Sequence, residues 1–257
     1  MRELRLDTKA VAITGGLGRI GCAVAQCLCE SGARVLILDR AEALGNAACP
    51  TPTEGEWETR ALDVTDFADL DARLAALEKD FAPLDGWVNC AYPRTPDWGA
   101  PFEKTTPEHW LRNLELQMGA SCLWAEAAAR AMARRNRGSV VSLGSVYGSQ
   151  APDFAIYAGT DKTTPAVYSA VKGGIVAHAR WLASYFGPRG VRVNAVCPGG
   201  VRHAQSEPFL GNFTSRTLLG RMAEPREVGA AVVFLLSDGA GYITGQALLV
   251  DGGMSVF

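Results

Sequence analysis

Short apolar runs alternate with longer amphipathic segments along the chain. Most of the runs are rich in valine, isoleucine or leucine and are bounded by glycine or charged residues. This pattern is typical of strands that are buried on both faces of a parallel sheet. The predicted strands cover residues 10–14, 34–39, 86–89, 140–143, 191–196 and 247–250, and a further strand ends at 60–63.

The segments between these runs repeat their apolar residues at helical spacing. In 18–31, for example, Ile20, Val24 and Leu28 fall on one face, and Gly32 ends the helix. Strands that alternate with helices predict an α/β fold: a Rossmann-type doubly wound sheet of about seven parallel strands with helices on both faces. The predicted helices cover residues 18–31, 66–81, 107–135, 168–186 and 225–236.

Domain organisation is predicted to be simple. The 257 residues contain no internal repeat, low-complexity tract or linker, so we expect a single domain over 1–257. Two stretches, 149–165 and 199–223, lack a regular pattern. Irregular stretches of this length inside a domain are usually functional, which predicts loops that contact the substrate.

Composition and charge exclude several classes of function. Lys plus Arg number 25 and Asp plus Glu 27, so no basic surface is expected for nucleic acid. No apolar stretch is long enough to span a membrane, and the first nine residues lack the apolar core of a signal peptide. The seven cysteines show no C-x-x-C spacing, which predicts buried free thiols and a cytoplasmic protein. The three histidines lack ligand spacing, so no metal is expected.

A glycine-rich turn follows the first predicted strand and opens the first predicted helix, over residues 14–21. Gly15 would allow the tight turn, Gly18 the close approach of a pyrophosphate, and Gly21 the packing of helix on strand. The positive end of the helix would then face the negative charge. The motif therefore predicts dinucleotide binding, with an ordinary structural turn as the alternative.

The choice of cofactor depends on Asp39, which ends the second predicted strand 24 residues after Gly15. An acidic residue at this place binds the hydroxyls of the adenosine ribose, and its charge would repel the 2′-phosphate of NADP. NAD is therefore favoured. Arg19 and Arg40 leave NADP open as the alternative, because either could pair with that phosphate.

Tyr168 and Lys172 are four residues apart and so share one face of a predicted helix. The lysine charge would lower the tyrosine pKa and prepare it for proton transfer. Ser145, after the preceding strand, would complete the group. Tyr157 lies nearer to Ser145, but the residue four positions after it is Asp161, so Tyr168 is the better candidate.

Together these motifs resemble the short-chain dehydrogenase/reductase family, in its compact one-domain form. The resemblance covers nearly the whole chain. It rests on 14–21, Asp63-Val64, 89–91, Ser145, Tyr168 with Lys172, 194–199 and the C-terminal stretch 242–253.

The resemblance implies hydride transfer between a nicotinamide cofactor and a small secondary alcohol or ketone. Tyr168 would be the general acid and base, Lys172 would bind the nicotinamide ribose, and Ser145 would hold the reacting oxygen. Gln117 stands where the family has an asparagine that serves the proton relay. The resemblance also implies a homotetramer, for which the small residues of 121–133 and 168–186 would allow close helix contacts. The implied cofactor contacts are Gly15, Leu17, Gly18, Arg19, Ile20, Gly21, Asp39, Arg40, Asp63, Val64, Asn89, Cys90, Ala91, Tyr168, Lys172, Pro198, Gly199 and Val201.

Departures from the family pattern leave alternatives open. Arg19 replaces a usual glycine, and the remaining glycine spacing resembles a sugar-modifying branch, which raises an epimerase or dehydratase as a hypothesis. The stretches 153–165 and 89–94 resemble, more weakly, enzymes of bacterial flagellin and surface-glycan sugar synthesis, which favours a sugar substrate. A non-catalytic dinucleotide-binding scaffold or redox sensor is the alternative from another class. The retention of Ser145, Tyr168 and Lys172 favours an enzyme.

Overall fold

Seven parallel strands form one sheet in the computed structural model, which describes residues 2–45, 49 and 55–256. Their order across the sheet is β3-β2-β1-β4-β5-β6-β7, so the direction of winding reverses between β1 and β4. In doubly wound sheets a ligand crevice lies at that reversal, beyond the carboxyl ends of the strands. The strands are β1 (Ala10–Thr14), β2 (Arg34–Asp39), β3 (Trp57–Ala61), β4 (Gly86–Asn89), β5 (Gly138–Leu143), β6 (Val191–Pro198) and β7 (Ala247–Val250).

Helices cover both faces of the sheet, which confirms the predicted doubly wound architecture. One face packs against α1 and α8, and the other against α3, α5 and α6. A π-helical turn, Leu114–Gly119, joins α4 to α5. The helices are α1 (Arg19–Glu30), α2 (Ala41–Leu44), α3 (Leu70–Asp80), α4 (Pro107–Asn113), α5 (Ala120–Ala133), α6 (Ala166–Phe186), α7 (Phe209–Thr214) and α8 (Pro225–Leu236).

The continuous apolar runs are explained by burial on two sides. In β1, Ala10 and Ala12 belong to the core on one face of the sheet, whereas Val11 and Ile13 belong to the core on the other. All four side chains are almost completely buried. A strand whose alternate residues meet two cores needs apolar residues at every position, and this is the pattern that predicts it from sequence.

Several predicted boundaries are wrong. Helix α3 starts at Leu70 rather than at 66, because Asp69 has a left-handed backbone with φ of 47°. The third strand ends at Ala61 rather than at 63. The predicted helix 107–135 is divided by the π-helical turn, and the stretch 199–223 contains the short helix α7.

Cysteine usage was also predicted wrongly in part. Cys22 on α1 and Cys49 form a disulfide across a sequence separation of 27 residues. The free thiols are Cys27, Cys29, Cys90, Cys122 and Cys197. The error has a physical cause, since sequence spacing does not show that the chain after α2 returns to α1.

The described residues also bear on membrane and metal binding. None of the helices in these ranges combines the length and apolar character needed to cross a bilayer. Within the same ranges, no three His, Cys, Asp or Glu side chains are placed to share a metal ion.

The arginines at the end of α5 form ion pairs, Arg135 with Glu78 at 3.0 Å and Arg137 with Asp85 at 3.0 Å.

Candidate active site

The glycine-rich turn after β1 is packed too closely for larger residues. Gly15 has φ of +65°, and a Cβ there would lie 2.6 Å from the Cα of Ala91, at the end of the neighbouring strand β4. A Cβ on Gly21 would lie 2.1 Å from the carbonyl oxygen of Gly15. These contacts bring the start of α1 against the turn, as the sequence motif predicts.

The first turn of α1 lacks the groups that usually satisfy a helix N-terminus. Its N-cap residue is Gly18, no described side chain caps it, and no acidic residue occupies the first turn. The positive end of the helix dipole is therefore directed at the crevice. Arg19 is exposed at this end and Ile20 is half-buried.

Asp39, at the end of β2, lies directly beside this turn. The backbone amide of Leu17 donates to its Oδ2 at 3.0 Å, and the amide of Arg40 donates to its Oδ1 at 2.9 Å. Two backbone amides thus orient the carboxylate. The next residue, Arg40, has an exposed side chain.

Asp63 and Val64 follow the edge strand β3 and lie beyond Asp39. Asp63 accepts from the hydroxyl and the amide of Thr65, at 2.7 and 2.8 Å. The hydroxyl of Thr65 is the main reason why the pKa of Asp63 lies below its ordinary value. Val64 is buried, and its carbonyl accepts from the indole of Trp124 at 3.1 Å. The turn after β3 is therefore rigid.

The end of β4 is held mainly by internal hydrogen bonds. Asn89 accepts from the Trp87 indole at 2.8 Å and donates to Ser142 Oγ at 3.1 Å. Its side-chain amide therefore bonds to residues of the sheet. The Cys90 amide donates to the carbonyl of Thr14 at 3.2 Å. Burial raises the pKa of Cys90 to about 12, so the thiol stays protonated.

Pro198, Gly199 and Val201 continue the line of β6 past the end of the sheet. The amide of Gly199 donates to the carbonyl of Val250 at 3.0 Å, and Val201 forms an isolated bridge with Ala223. The segment therefore lies at the same edge as the glycine-rich turn.

Ser145 and Lys172 are brought together by a close backbone contact. Ser145 follows β5, and its Oγ accepts from the Tyr147 amide at 3.2 Å. Three residues later, a Cβ on Gly148 would lie 2.8 Å from the carbonyl of Lys172 on α6. From the other side, Lys172 Nζ donates to the carbonyl of Leu143, the last residue of β5, at 2.8 Å.

The electrostatics of this group differ from the sequence prediction. Burial lowers the pKa of Lys172 to about 8, because the side chain is only 8% exposed. Burial also raises the pKa of Tyr168, and the hydroxyl of Ser145 acts against that rise. The expected lowering by Lys172 is not seen. Its ammonium is bound to the Leu143 carbonyl and lies over the tyrosine ring, 5.8 Å from the ring centroid.

A cleft of about 230 Å³ opens beside Ser145 and Tyr168. Its lining residues come from the loop after β4, the loop after β5, both predicted substrate loops and the start of α6. Tyr157 lines the same cleft as Tyr168, so both candidate tyrosines reach it. The lining residues are Tyr92, Trp98, Ser145, Val146, Tyr147, Tyr157, Thr163, Thr164, Pro165, Tyr168, Gly199, Gly200 and Phe213.

Gln117 is not joined to the other candidate catalytic residues. Its Nε2 donates to Asn113 Oδ1 at 3.2 Å, and its buried Oε1 has no hydrogen-bond partner within the described part of the chain. No hydrogen bond among those residues connects it to Lys172, whose ammonium is held by Leu143. The structure therefore places Gln117 in a network on α4 and the π-helical turn.

The aromatic wall of the cleft was missed by sequence reasoning. Tyr92 and Trp98 come from the loop after β4, and that loop is fastened to α4. Asp97 pairs with the buried His109 at 2.7 Å, and Asn113 donates to Thr95 at 2.8 Å. In the sequence, Tyr92 falls within the stretch 89–94 that resembles enzymes of surface-glycan sugar synthesis.

A family model described as enoyl-(acyl carrier protein) reductase matches residues 17–255, nearly the whole chain. The chain belongs to the short-chain dehydrogenase/reductase family. Among relatives of this family, 2-(S)-hydroxypropyl-CoM dehydrogenase 3 from Xanthobacter autotrophicus is 34% identical, over 98% of both chains. Galactitol 2-dehydrogenase (L-tagatose-forming) from Cereibacter sphaeroides is 32% identical, over 98% of this chain and 97% of that protein. Post-translational flagellin modification protein A from Campylobacter coli is 28% identical, over 96% and 98%.

Solved structures of short-chain dehydrogenases show the same fold. One from Leptospira borgpetersenii with bound NAD+ has a TM-score of 0.83 and 31% identity, over 97% of this chain and 93% of that one. A gluconate 5-dehydrogenase from Burkholderia cenocepacia, in complex with NADP and tartrate, has a TM-score of 0.84 and 25% identity, over 100% and 98%.

The buried lysine predicts a measurable pH dependence of stability. Its pKa falls from 10.5 in the unfolded chain to about 8 in the folded one, so the unfolded state binds more protons between these values. Its contribution to the free energy of unfolding therefore rises with pH. Relative to Lys172→Met, we expect the unchanged protein to gain about 2 kcal/mol between pH 7 and pH 10.

Urea unfolding at several pH values measures this difference. Lys79→Met, which replaces an exposed lysine, is the matched control. Parallel pH profiles for the unchanged protein and Lys172→Met would contradict the prediction.

Proposed function

We propose that the protein is an NAD-dependent oxidoreductase that transfers hydride between the nicotinamide cofactor and a secondary alcohol or ketone. The observation that carries the proposal is the juxtaposition of Ser145 and Tyr168 in one cleft, with Lys172 buried beneath. This cleft lies at the edge of the sheet where the glycine-rich turn is found. Membership of an oxidoreductase family supports the same conclusion.

The residues present fit a dinucleotide. Gly15 and Gly21 have no room for a side chain, and the uncapped start of α1 at Gly18 can receive a pyrophosphate. The rigid turn at Asp63 and Val64 would hold the adenine. Arg19, Ile20 and the residues at the ends of β4 and β6 would flank the remainder. When bound, the nicotinamide ring would accept or supply the hydride.

NAD is favoured over NADP by the orientation of Asp39. Two backbone amides fix its carboxylate next to the turn, where it would accept hydrogen bonds from ribose hydroxyls and repel a phosphate. The charge of Arg40 also contributes, less than Thr65, to the lowered pKa of Asp63. Solved structures of relatives contain NAD+ in one case and NADP in another. Binding of the 2′-phosphate of NADP by Arg19 or Arg40 is therefore the alternative to the role of Asp39.

In oxidation, Tyr168 Oη as the phenolate would take the proton of the substrate hydroxyl, and in reduction the phenol would return it. The positive charge of a bound oxidised nicotinamide would favour the phenolate against the effect of burial. Ser145 Oγ would hold the same oxygen and fix the distance for transfer. Lys172 would bind the ribose next to the nicotinamide, and its lowered pKa allows it to exchange a proton near pH 8. Gln117 would serve a proton relay only if a water bridges it to Lys172, because the structure gives no direct bond.

We also propose that the substrate is a sugar or sugar derivative. Relatives named for galactitol oxidation and for flagellin modification support this class. Both predicted substrate loops reach the cleft, through Thr163 and Thr164 of one and Phe213 of the other. Asn212 donates to the carbonyl of Ala158 at 2.9 Å, so the two loops are tied together. One domain over 1–257 would thus carry both binding and catalysis.

We also propose that four chains assemble into a homotetramer. The residues that we propose for the interface differ from the small residues that the sequence suggests. The alanines of α5 are buried within the chain itself, so they are not free for contacts between subunits. On α6, however, Trp181 and Tyr185 are each 57% exposed and stack at 5.1 Å. Exposed paired aromatics are typical of an interface.

The first prediction of this proposal concerns cofactor choice. Asp39→Ser should weaken NADH binding about 10- to 100-fold, because charged hydrogen bonds contribute about 1.5–3 kcal/mol. NADPH binding should change less or improve. Calorimetric titration measures both, and Asp80→Ser replaces an exposed carboxylate elsewhere as the control. Tighter binding of NADPH than of NADH by the unchanged protein would refute the assignment to Asp39.

The second prediction separates Tyr168 from Tyr157. Tyr168→Phe should lower kcat by about 10²–10⁴-fold while NADH binding stays intact. Tyr157→Phe, its matched control in the same cleft, should change mainly KM. Steady-state kinetics on one active alcohol tests both. Loss of turnover in Tyr157→Phe alone would transfer the acid–base role to Tyr157, and unchanged turnover in both variants would show that neither tyrosine is the acid–base group.

The third prediction concerns assembly. Light scattering at micromolar concentration should give the mass of four chains, and Trp181→Glu should lower it, because a buried unpaired charge opposes association. Leu111→Glu, at another exposed apolar residue on α4, is the control. A monomeric mass for the unchanged protein would contradict the proposed tetramer.

A further inference from the structure

The cleft beside Tyr168 is walled mainly by rings and hydroxyl groups. Trp98, Tyr92 and Tyr147 stand edge-on to the Tyr168 ring, with centroids 6.0, 6.1 and 6.5 Å away. Serine, threonine and tyrosine hydroxyls supply most of the polar lining. Apolar ring faces with a few hydrogen-bonding groups suit a small organic molecule that carries hydroxyls.

Charged side chains are missing from this lining. Among the residues that the structure describes, no acidic or basic side chain lines the cleft. The nearby cations lie outside the lining and have contacts of their own. Arg216 pairs with Asp153 at 2.9 Å, and Lys162 lies over the ring of Phe209. Arg94 lies over the ring of Tyr92, and Lys172 is bound to the Leu143 carbonyl. A carboxylate, sulfonate or phosphate in the cleft would lose its hydration without gaining a salt bridge from the lining, which costs several kcal/mol.

Tyr147 provides a positive indication of what the cleft binds. Its side chain is 8% exposed, it lines the cleft, and its Oη has no hydrogen-bond partner within the described part of the chain. Burial raises the pKa of Tyr147, and the Tyr157 hydroxyl adds to this rise as a hydrogen-bonding neighbour, although the contact falls outside full hydrogen-bond geometry. A buried hydroxyl without a partner costs about 1–3 kcal/mol, and a ligand that pairs with it recovers this energy.

Size limits the ligand as well. A cleft of about 230 Å³ is smaller than the ~300–1,000 Å³ of pockets that hold drug-sized molecules. The part of a substrate that lies inside the cleft is therefore compact.

We propose that this cleft selects a small, uncharged, polyhydroxylated alcohol or its ketone, and that Tyr147 recognises a hydroxyl other than the reacting one. The inference rests on the proposed function. It adds that the substrate carries no carboxylate or phosphate, and that Tyr147 determines specificity for polyols over simple alcohols.

Matched pairs of compounds test the charge selection. Galactitol is compared with galactonate and threitol with threonate, by binding calorimetry on the protein saturated with NAD+ and by kcat/KM from NADH absorbance. We expect each polyol to bind at least tenfold more tightly than its carboxylate. Equal or tighter binding of the carboxylates, or no binding of either polyol, would overturn the inference. Polyol binding without turnover would overturn the proposed function and leave the selectivity standing.

Tyr147→Phe tests the recognition of a second hydroxyl. It removes only the unpartnered Oη, so the fold should be retained. We expect KM for the polyols to rise about tenfold with kcat nearly unchanged, and KM for cyclohexanol, which has no second hydroxyl, to stay the same. Tyr242→Phe, at a fully exposed tyrosine, is the control. An equal change for cyclohexanol and the polyols would refute the role of Tyr147.

Discussion

The contact between the end of β5 and helix α6 holds the candidate site together. The absence of a side chain at Gly148 lets the loop after Ser145 rest on the backbone of α6. From within, Lys172 spans the same gap and binds the Leu143 carbonyl. Serine and tyrosine hydroxyls are thereby positioned by main chain on one side and by a buried ammonium on the other. These contacts fix the relative positions of the two segments that carry Ser145 and Tyr168.

Burial in this contact also sets the electrostatics. The ammonium of Lys172 gains one strong hydrogen bond but loses its hydration, so its pKa falls to about 8. The same burial opposes ionisation of Tyr168. Both groups are thus shifted toward their neutral forms. Any charge that arrives in the crevice will act on them strongly, because the surroundings screen it poorly.

The fold could be predicted because most of the β-strands carry their own local signal, with β3 as the exception. Val11 and Ile13, for example, lie in an apolar run that glycines end, and no distant contact is needed to recognise it. The candidate residues on the ends of strands were predictable for the same reason. The walls of the cleft were not, since Trp98 is positioned through Asp97 and His109, which are distant from Tyr168 in sequence. The left-handed Asp69 and the effect of burial on Tyr168 are likewise tertiary properties.

The bond between Cys22 and Cys49 turns part of the dinucleotide-binding half into a covalent ring. This ring contains the whole of β2 and the carboxylate of Asp39. A closed loop of this length removes conformational entropy from the unfolded chain equivalent to roughly 3–4 kcal/mol. When the protein opens, β2 cannot diffuse far from the start of α1. The segment that would bind the adenosine end of a cofactor therefore stays close to its place beside α1.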